Sequence, residues 1–318
     1  MMNLTLKQLR YFEAVAKQGH FGRAAAVCSI SQPALSVQIR DMEESLGVTL
    51  FERGPRGVTL TGFAETLAPR VRAILREVDE LGELARAARG DLSGRLRLGV
   101  IPTIAPYLLP RLITAITRRF ADVDLHVRES QTQRLVEELV EGQIDAALVA
   151  LPVEHPALTS LELFSETLVF VRPGSEAAKP APARSELQNM RLLLLEEGHC
   201  FRDQALSFCG LPKTQPRDGL DGSSLSTLVQ MVGSGIGVTM IPEMAIDVET
   251  KSAPVAVARF SDTEPVRRIG MLWRRTSPLH DHLSELAEMT KDLALAQQDD
   301  LREAATTLHE PPQRSKGI

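Results

Sequence analysis

The chain has 318 residues, of which 43% are hydrophobic and 24% charged, and its formal net charge is −5. This length allows two or three domains with cores of their own, and the composition excludes a disordered or fibrous chain. Residues 1–64 contain seven Lys and Arg against five Asp and Glu, so a mildly basic head precedes an acidic remainder.

The first residues, MMNLTLKQLRYF, lack the basic region and apolar core of a secretory signal. No run approaches about 18 apolar residues, so we expect no membrane span and no membrane partner. A cytoplasmic location is expected, where a disulfide is more often transient and redox-sensing than structural. The three cysteines do not have the spacing of a zinc site, and we expect neither a metal nor another cofactor.

The first 64 residues predict three helices joined by short turns. The segments with helical apolar spacing are Leu4–Lys17, Phe21–Val27 and Gln32–Leu46. Gly19 and Gly47 end the first and third helices, and Ser31 is a good N-cap for the third. Helix, short turn and helix is the helix-turn-helix arrangement, which suits a small DNA-binding module.

In that motif the second helix enters the major groove with its N-terminal residues first. The residues expected to face DNA are Ser31, Gln32, Pro33, Ser36, Gln38 and Arg40. Two short strands, Val48–Phe51 and Gly57–Leu60, would form a wing whose Arg53 and Arg56 contact phosphates. The alternative is an ordinary three-helix bundle with a polar face, and in either case Cys28 is expected to pack in its core.

A long helix is predicted from Thr61 to about Ala88. One of its faces is charged, and the other has an apolar stripe: Leu67, Val71, Ile74, Leu75, Val78, Leu81 and Leu84. The same helix of a second subunit is the simplest cover for such a stripe, so we expect a dimer. Residues 65–94 are therefore interpreted as a linker and dimerisation segment, with a hinge at 90–94.

From Arg95 onward strands and helices alternate, which predicts a largely parallel sheet. The predicted strands are Arg95–Ile101, Asp124–Glu129, Ile144–Leu151, Leu161–Val171, Arg191–Leu195, Val238–Pro242 and Ile269–Trp273. The predicted helices are Pro106–Phe120, Thr132–Glu141, Cys200–Cys209, Ser224–Ser234 and Pro278–Gln297. Leu161–Val171 would cross to a second lobe and Ile269–Trp273 would return, so residues 95–298 form two α/β lobes around a ligand cleft. Residues 299–318 are expected to be a mobile tail.

Polar residues that follow predicted strands are candidates for lining this cleft. They are Thr103, Ser130 and Thr132, together with Ser223 and Ser224 at the start of a later helix. Each of them has a second interpretation as a helix N-cap.

Two of the cysteines lie at the ends of one predicted helix. Cys200, at its N-terminus and beside His199 and Arg202, has surroundings that lower the pKa of a thiol. Nine residues separate Cys209 from it by about 13 Å on the opposite helix face, whereas a disulfide requires Cα atoms within about 7 Å. The two residues therefore bond only if the helix refolds, which would make the segment bistable. The alternative is that both cysteines are ordinary core residues.

The N-terminal region resembles the winged helix-turn-helix of LysR-type transcriptional regulators. The runs that carry the resemblance are SQPALS at 31–36 and LFER at 50–53, and the likeness extends to about residue 297. It implies a winged helix-turn-helix at 1–64, a long dimerising linker helix, and a periplasmic-binding-protein-like α/β regulatory domain with two lobes. It also implies a tetramer on DNA.

The run GHCFRDQA at 198–205, followed by Cys209, is similar to the members of that family that sense hydrogen peroxide, as are IPT at 101–103 and QTQ at 131–133. This resemblance implies that Cys200 is the peroxide-reactive thiol and Cys209 the resolving thiol. The residues that it implies for placing peroxide and stabilising the thiolate are Thr103, Thr132, His199, Asp203 and Arg267. Arg268, next in the chain, is the alternative to Arg267.

We therefore expect a transcription regulator, not an enzyme, that activates or represses oxidative-stress genes through a reversible Cys200–Cys209 disulfide. The expected partners are double-stranded promoter DNA, hydrogen peroxide, further copies in a homodimer or homotetramer, RNA polymerase, and a thiol reductant of the glutaredoxin or thioredoxin type. Two alternatives remain: a regulator of the same family that binds a metabolite, with incidental cysteines, and a thiol peroxidase.

Overall fold

The computed structural model describes residues 4–54, 57–87, 92–212 and 221–307. The chain divides into two compact units, Met1–Ala88 and Arg89–Ile318. Within the described ranges, none of the helices combines the length and the apolar character needed to cross a bilayer.

The first unit is a winged helix-turn-helix. Its elements are α1 (Leu6–Gln18), α2 (Phe21–Val27), α3 (Gln32–Leu46), β1 (Phe51–Gly54), β2 (Gly57–Leu60) and α4 (Gly62–Ala87). The predicted helix starts and stops are confirmed: Ser31 caps α3, and Gly19 and Gly47, with φ of 58° and 70°, end α1 and α3. Cys28 packs against the core of this unit, and burial raises the pKa of its thiol.

The first strand of the wing begins three residues later than predicted. The backbone N–H groups of Leu50 and Phe51 both donate to Glu43 Oε1, at 2.7 and 3.3 Å, so this carboxylate holds the chain as it enters the wing. Strand pairing then runs antiparallel from Phe51 opposite Leu60 to Gly54 opposite Gly57.

Helix α4 buries only part of its apolar stripe within its own unit. Val71 and Leu75 are 1% and 5% exposed, because they pack on the core of the first unit. Three other residues of the stripe, Ile74, Leu81 and Leu84, are 47%, 64% and 54% exposed. An exposed apolar row of this kind is typical of a surface that a partner covers.

The second unit is built on a seven-stranded sheet of order β4-β3-β5-β9-β6-β7, with β8 paired to β6. Its strands are β3 (Gly94–Val100), β4 (Val123–Glu129), β5 (Ala146–Leu151), β6 (Leu158–Pro173), β7 (Thr239–Pro242), β8 (Val255–Ala258) and β9 (Val266–Arg274). Its helices are α5 (Ala105–Arg119), α6 (Thr132–Val140), α7 (Cys200–Cys209), α8 (Leu225–Gly233), α9 (Ile246–Glu249) and α10 (His280–Thr307).

Two long strands join the lobes, as predicted. The first part of β6 pairs antiparallel with β9, from Leu158 to Thr167, and its second part pairs with β7 and β8. Strand β9 also pairs antiparallel with β5, so it lies between β5 and β6 in the sheet. Near the end of β9, Trp273 is 2% exposed, and its Nε1–H donates to His280 Nδ1 at 3.0 Å.

Two predictions about this unit need correction, and two of its elements were not predicted. Residues 192–195 are buried, but they form only isolated bridges, Leu192 with Val238 and Leu195 with Gly222, rather than a strand ladder. Strand β8 and the short helix α9 were not predicted. The tail predicted from residue 299 is helical to Thr307, and Asp300 pairs with Arg111 of α5 at 3.0 Å. Residues 308–318 lie outside the described part of the chain.

Candidate functional site

A cavity of about 330 Å³ lies where the loops after β3 and β4 face the start of α7 and the start of α8. Its polar lining includes Thr103, Ser130, Gln131, His199, Ser223 and Ser224. Thr103 and Ser130, which we expected at a cleft because they follow predicted strands, both line this cavity. Ser224 has both predicted roles, since its side chain also accepts from the Thr227 N–H as the N-cap of α8.

Beside this cavity, Arg267 holds a buried ion-pair network that connects both lobes. Its Nη1 donates to Thr103 Oγ1 at 2.8 Å, its Nη2 to the Thr103 carbonyl at 3.0 Å, and its Nε to Glu166 Oε2 at 2.8 Å. Glu166 Oε1 in turn accepts from the Met244 N–H at 2.9 Å. Burial raises the pKa of Glu166, while the guanidinium of Arg267 opposes that shift. Arg268 points instead to an exposed pair with Glu162, so of the two arginines it is Arg267 that contacts Thr103 beside this cavity.

Helix α7 presents one cysteine at each end. Cys200 is its first residue and is half-buried, while Cys209 is its last residue and is 1% exposed. Phe201 is buried, and its ring centroid lies 5.6 Å from the guanidinium carbon of Arg267. The two thiols are not joined in a disulfide, and the intact helix keeps them about 13 Å apart.

The turn before α7 contacts the first lobe through Gln131. Gly198 has φ of +93°, and a Cβ built on it would lie 2.4 Å from Gln131 Oε1. The side-chain amide of Gln131 also donates to the Glu197 carbonyl at 3.4 Å. Glycine suits position 198 because of this positive φ, and a Cβ there would displace the side chain of Gln131.

The two charged neighbours of Cys200 behave differently from the expectation. Desolvation lowers the pKa of His199, although Glu196 opposes this, so its imidazole is neutral at pH 7 rather than a cation beside the thiol. Arg202 is turned away: its Nη1 donates to the Leu195 carbonyl and to Asp221 Oδ2, both at 2.8 Å. Arg202 thus fastens α7 to the segment before it instead of lining the cavity.

The remaining predicted residues, Thr132 and Asp203, belong to α6 and α7. Thr132 begins α6 directly after Gln131, and its Oγ1 is buried without a hydrogen-bond partner among the described residues. Asp203 is exposed and lines a different cavity, of about 450 Å³, together with Arg184 and Phe208. Thr103 and His199 therefore line one cavity, Thr132 and Cys200 directly follow the lining residues Gln131 and His199 in the chain, and Asp203 lines a second cavity.

The predicted DNA-facing residues lie along α3 and its N-cap. Ser31, Gln32, Pro33 and Arg40 are exposed, and Ser36 and Gln38 are half-buried. Ser31 Oγ also accepts from the Ala34 N–H at 3.4 Å, and Gln38 donates to Asp41 at 3.4 Å. The side chain of Arg53 and all of Arg56 lie outside the described residues.

Sequence reasoning missed Glu166 as a neighbour of the site, and it gave Gln131 no role of its own although QTQ at 131–133 carries part of the resemblance. Glu166 gave no distinct signal, because the predicted strand Leu161–Val171 also contains Glu162 and other polar residues. No group of three or more His, Cys, Asp or Glu with metal-binding geometry occurs in the described part of the chain.

Comparison with known proteins connects both units to one family. Residues 6–65 match the bacterial regulatory helix-turn-helix protein of the lysR family, and residues 89–294 match the LysR substrate binding domain.

One similar relative is a probable hydrogen peroxide-inducible genes activator from Streptomyces viridosporus, 43% identical over 91% of this chain and 95% of the relative. A full-length OxyR variant from Pseudomonas aeruginosa is 35% identical, with a TM-score of 0.73 over 92% of this chain and 96% of that one. A hydrogen-peroxide-bound OxyR mutant from Corynebacterium glutamicum is 34% identical, with a TM-score of 0.66 over 98% and 99% of the two chains. The chain thus belongs to the LysR family of bacterial helix-turn-helix regulators, within which it is similar to OxyR proteins.

Proposed function

We propose that this regulator senses hydrogen peroxide by reversible formation of a Cys200–Cys209 disulfide and thereby controls genes of the oxidative-stress response. The observation that carries the proposal is the position of Cys200. It is the half-buried first residue of α7, between His199, which lines the cavity, and Phe201, which lies against Arg267. The names of its relatives point to the same oxidant.

The first chemical step is attack of the Cys200 thiolate on one peroxide oxygen. An S–O bond forms as the O–O bond breaks, the departing hydroxide takes up a proton to become water, and the sulfur is oxidised by two electrons to a sulfenic acid. We assign the Thr103 and Thr132 hydroxyls and the neutral His199 imidazole to holding the peroxide, with Arg267 as the fixed positive charge nearby.

In the second step Cys209 resolves the sulfenic acid. The Cys209 sulfur attacks the Cys200 sulfur, an S–S bond forms, the S–O bond breaks, and water leaves. Because the helix separates the two sulfurs, α7 must unwind before they meet. Phe201, Leu206 and Cys209 are buried in the intact helix, so unwinding repacks the second lobe and changes how the subunits assemble. A thiol reductant of the glutaredoxin or thioredoxin type returns the two electrons and resets the switch.

The output of the switch is binding of promoter DNA by the first unit. We assign the major groove contacts to Ser31, Gln32, Pro33, Ser36, Gln38 and Arg40, and phosphate contacts to Arg53 and Arg56 of the wing. The exposed stripe of α4 supports a homodimer, from which a homotetramer is assembled on DNA. RNA polymerase is a further partner of the DNA-bound regulator, which acts in the cytoplasm. Each protein chain consumes one equivalent of peroxide per oxidation and does not turn over as an enzyme would.

The test is mass spectrometry of the reduced full-length protein, with thiols alkylated before and after about one equivalent of hydrogen peroxide. We expect a Cys200–Cys209 cross-link that dithiothreitol reverses, and a promoter footprint that changes with it. Cys200→Ser should remove the response and retain DNA binding, whereas Cys209→Ser should stop at the sulfenic acid. If both thiols remain alkylatable, the proposal is wrong; repeated turnover with a reductant would favour a thiol peroxidase instead.

A further inference from the structure

The carbonyl groups at the C-terminal end of α7 are bound by side chains from a single neighbouring turn. Gly210, with φ of 64°, ends the helix, and the N–H groups of Gly210 and Leu211 bond back to Leu206. The carbonyls of Phe208 and Cys209 accept from Arg184 Nε and from Gln188 Nε2. Arg184 and Gln188 both belong to the 3-10 turn Arg184–Asn189.

Both the side chain and the backbone of Arg184 make contacts that hold it at the end of α7. Its Nη2 reaches the Ser207 carbonyl at 3.4 Å, and its guanidinium carbon lies 5.3 Å from the centre of the Phe208 ring. Its backbone N–H donates to both oxygens of Asp262 at 3.2 Å. The last carbonyls of a helix have no partner inside the helix, so side-chain donors at this place stabilise the helical form of the chain.

These bonds exist only while α7 is helical. For Cys209 to approach Cys200, the last turn must unwind, and the carbonyls of Phe208 and Cys209 must leave Arg184 and Gln188. We propose that Arg184, assisted by Gln188, is a positioning residue that holds the resolving cysteine in the reduced conformation and thereby sets how much oxidant commits the switch. This inference rests on the proposed function.

The role of Arg184 is confined to the second chemical step. Cys200 lies at the opposite end of the helix, about 13 Å away, so its attack on peroxide does not depend on this cap. The attack of the Cys209 sulfur on the Cys200 sulfenic acid, which forms the S–S bond and releases water, does depend on release of the cap. Removing the donors should therefore speed the second step and leave the first unchanged.

The experiment uses Arg184→Met, which keeps an unbranched side chain against Phe208 and removes every donor. Arg191→Met is the matched control, because Arg191 is an exposed arginine of the same unit that makes none of the described bonds to α7. Reduced full-length protein is mixed with hydrogen peroxide, quenched at intervals with dimedone and N-ethylmaleimide, and sulfenic acid and disulfide are quantified by mass spectrometry. Titration in dithiothreitol redox buffers then gives the dithiol–disulfide equilibrium.

We expect sulfenic acid to form in Arg184→Met at the rate of the unsubstituted protein. Disulfide should form about three- to tenfold faster, and the equilibrium should move toward disulfide by a similar factor, as expected from loss of one or two modest hydrogen bonds. Gln188→Met should give a smaller change in the same direction, and it keeps the test valid if Arg184→Met does not fold.

Two negative results are distinguishable. If the unsubstituted protein forms the Cys200–Cys209 link, and both the second rate and the equilibrium of Arg184→Met equal those of Arg191→Met, only the inference about Arg184 is overturned. If the unsubstituted protein forms no such link, the proposed function fails and the inference fails with it. Slower sulfenic acid formation in Arg184→Met would also overturn it, because the residue would then act on Cys200.

Discussion

At the scale of single residues, the site depends on pairings between distant parts of the chain. The resemblance implied Arg267, but nothing in the sequence pointed to its partner Glu166. The two residues are 101 positions apart in the chain and lie directly opposite each other on β6 and β9. Their pairing follows from the register of two crossing strands, which residue patterns alone do not determine. Arg202 of α7 is also bound to a residue distant in the chain, Asp221, which turns it away from Cys200.

Glu166→Gln should strongly destabilise the regulatory unit, because it leaves the fully buried guanidinium of Arg267 without a counter-charge. Breaking one side of a buried ion pair costs about 3–5 kcal/mol of unfolding free energy. The control is Glu162→Gln, which breaks the exposed pair with Arg268 and should cost about 1 kcal/mol or less. Urea unfolding of both variants gives the comparison, and equal losses would show that Glu166 does not support Arg267.

At the scale of elements, helices with clear end signals were predicted within one or two residues. Helix α3 was predicted with its observed bounds because Ser31, Pro33 and Gly47 mark both of its ends. The apolar run at 192–195 was mistaken for a strand because burial gives the same pattern with or without a full hydrogen-bond ladder. Strand β8 was missed because its four residues give too short a pattern to recognise.

Gly198→Ala should slow the reaction of Cys200 with peroxide. An alanine there is strained by its positive φ, and its Cβ would displace the Gln131 side chain that contacts the turn before α7. Gly235→Ala is the control, since Gly235 has φ of +77° and open space around its Cβ position. Both variants should lose about 1–2 kcal/mol of stability to the left-handed backbone. Only Gly198→Ala should react several-fold more slowly in stopped-flow oxidation, and equal rates would exclude a positioning role for this contact.

At the scale of the whole molecule, the division into a DNA-binding head and a two-lobed body was predictable from the change in sequence texture near residue 95. The crossing strands were also predicted, since two long apolar segments flank the second lobe. The end of α10 was not, because its last turns are polar, and a polar helix without an apolar stripe is indistinguishable from a loop in sequence.

The exposed row on α4 should be the dimer contact. Replacing Leu81 and Leu84 together with Glu would place two charges in an apolar interface and should raise the dimer dissociation constant about a hundredfold or more. Val248→Glu, on the exposed surface of α9, is the control. Light scattering coupled to gel filtration measures the mass, and an unchanged dimer would assign the contact to another surface.

Trp273 makes the protein its own spectroscopic reporter. It is the chain's single tryptophan, it is buried on β9, and its indole N–H is bound to His280. Selectively excited fluorescence therefore arises from the second unit alone, whereas circular dichroism sums the helices of both units. Comparing the two signals during heating separates the melting of the body from that of the head without a label. A change in emission on oxidation would show that the motion of α7 has reached the strand that joins the lobes.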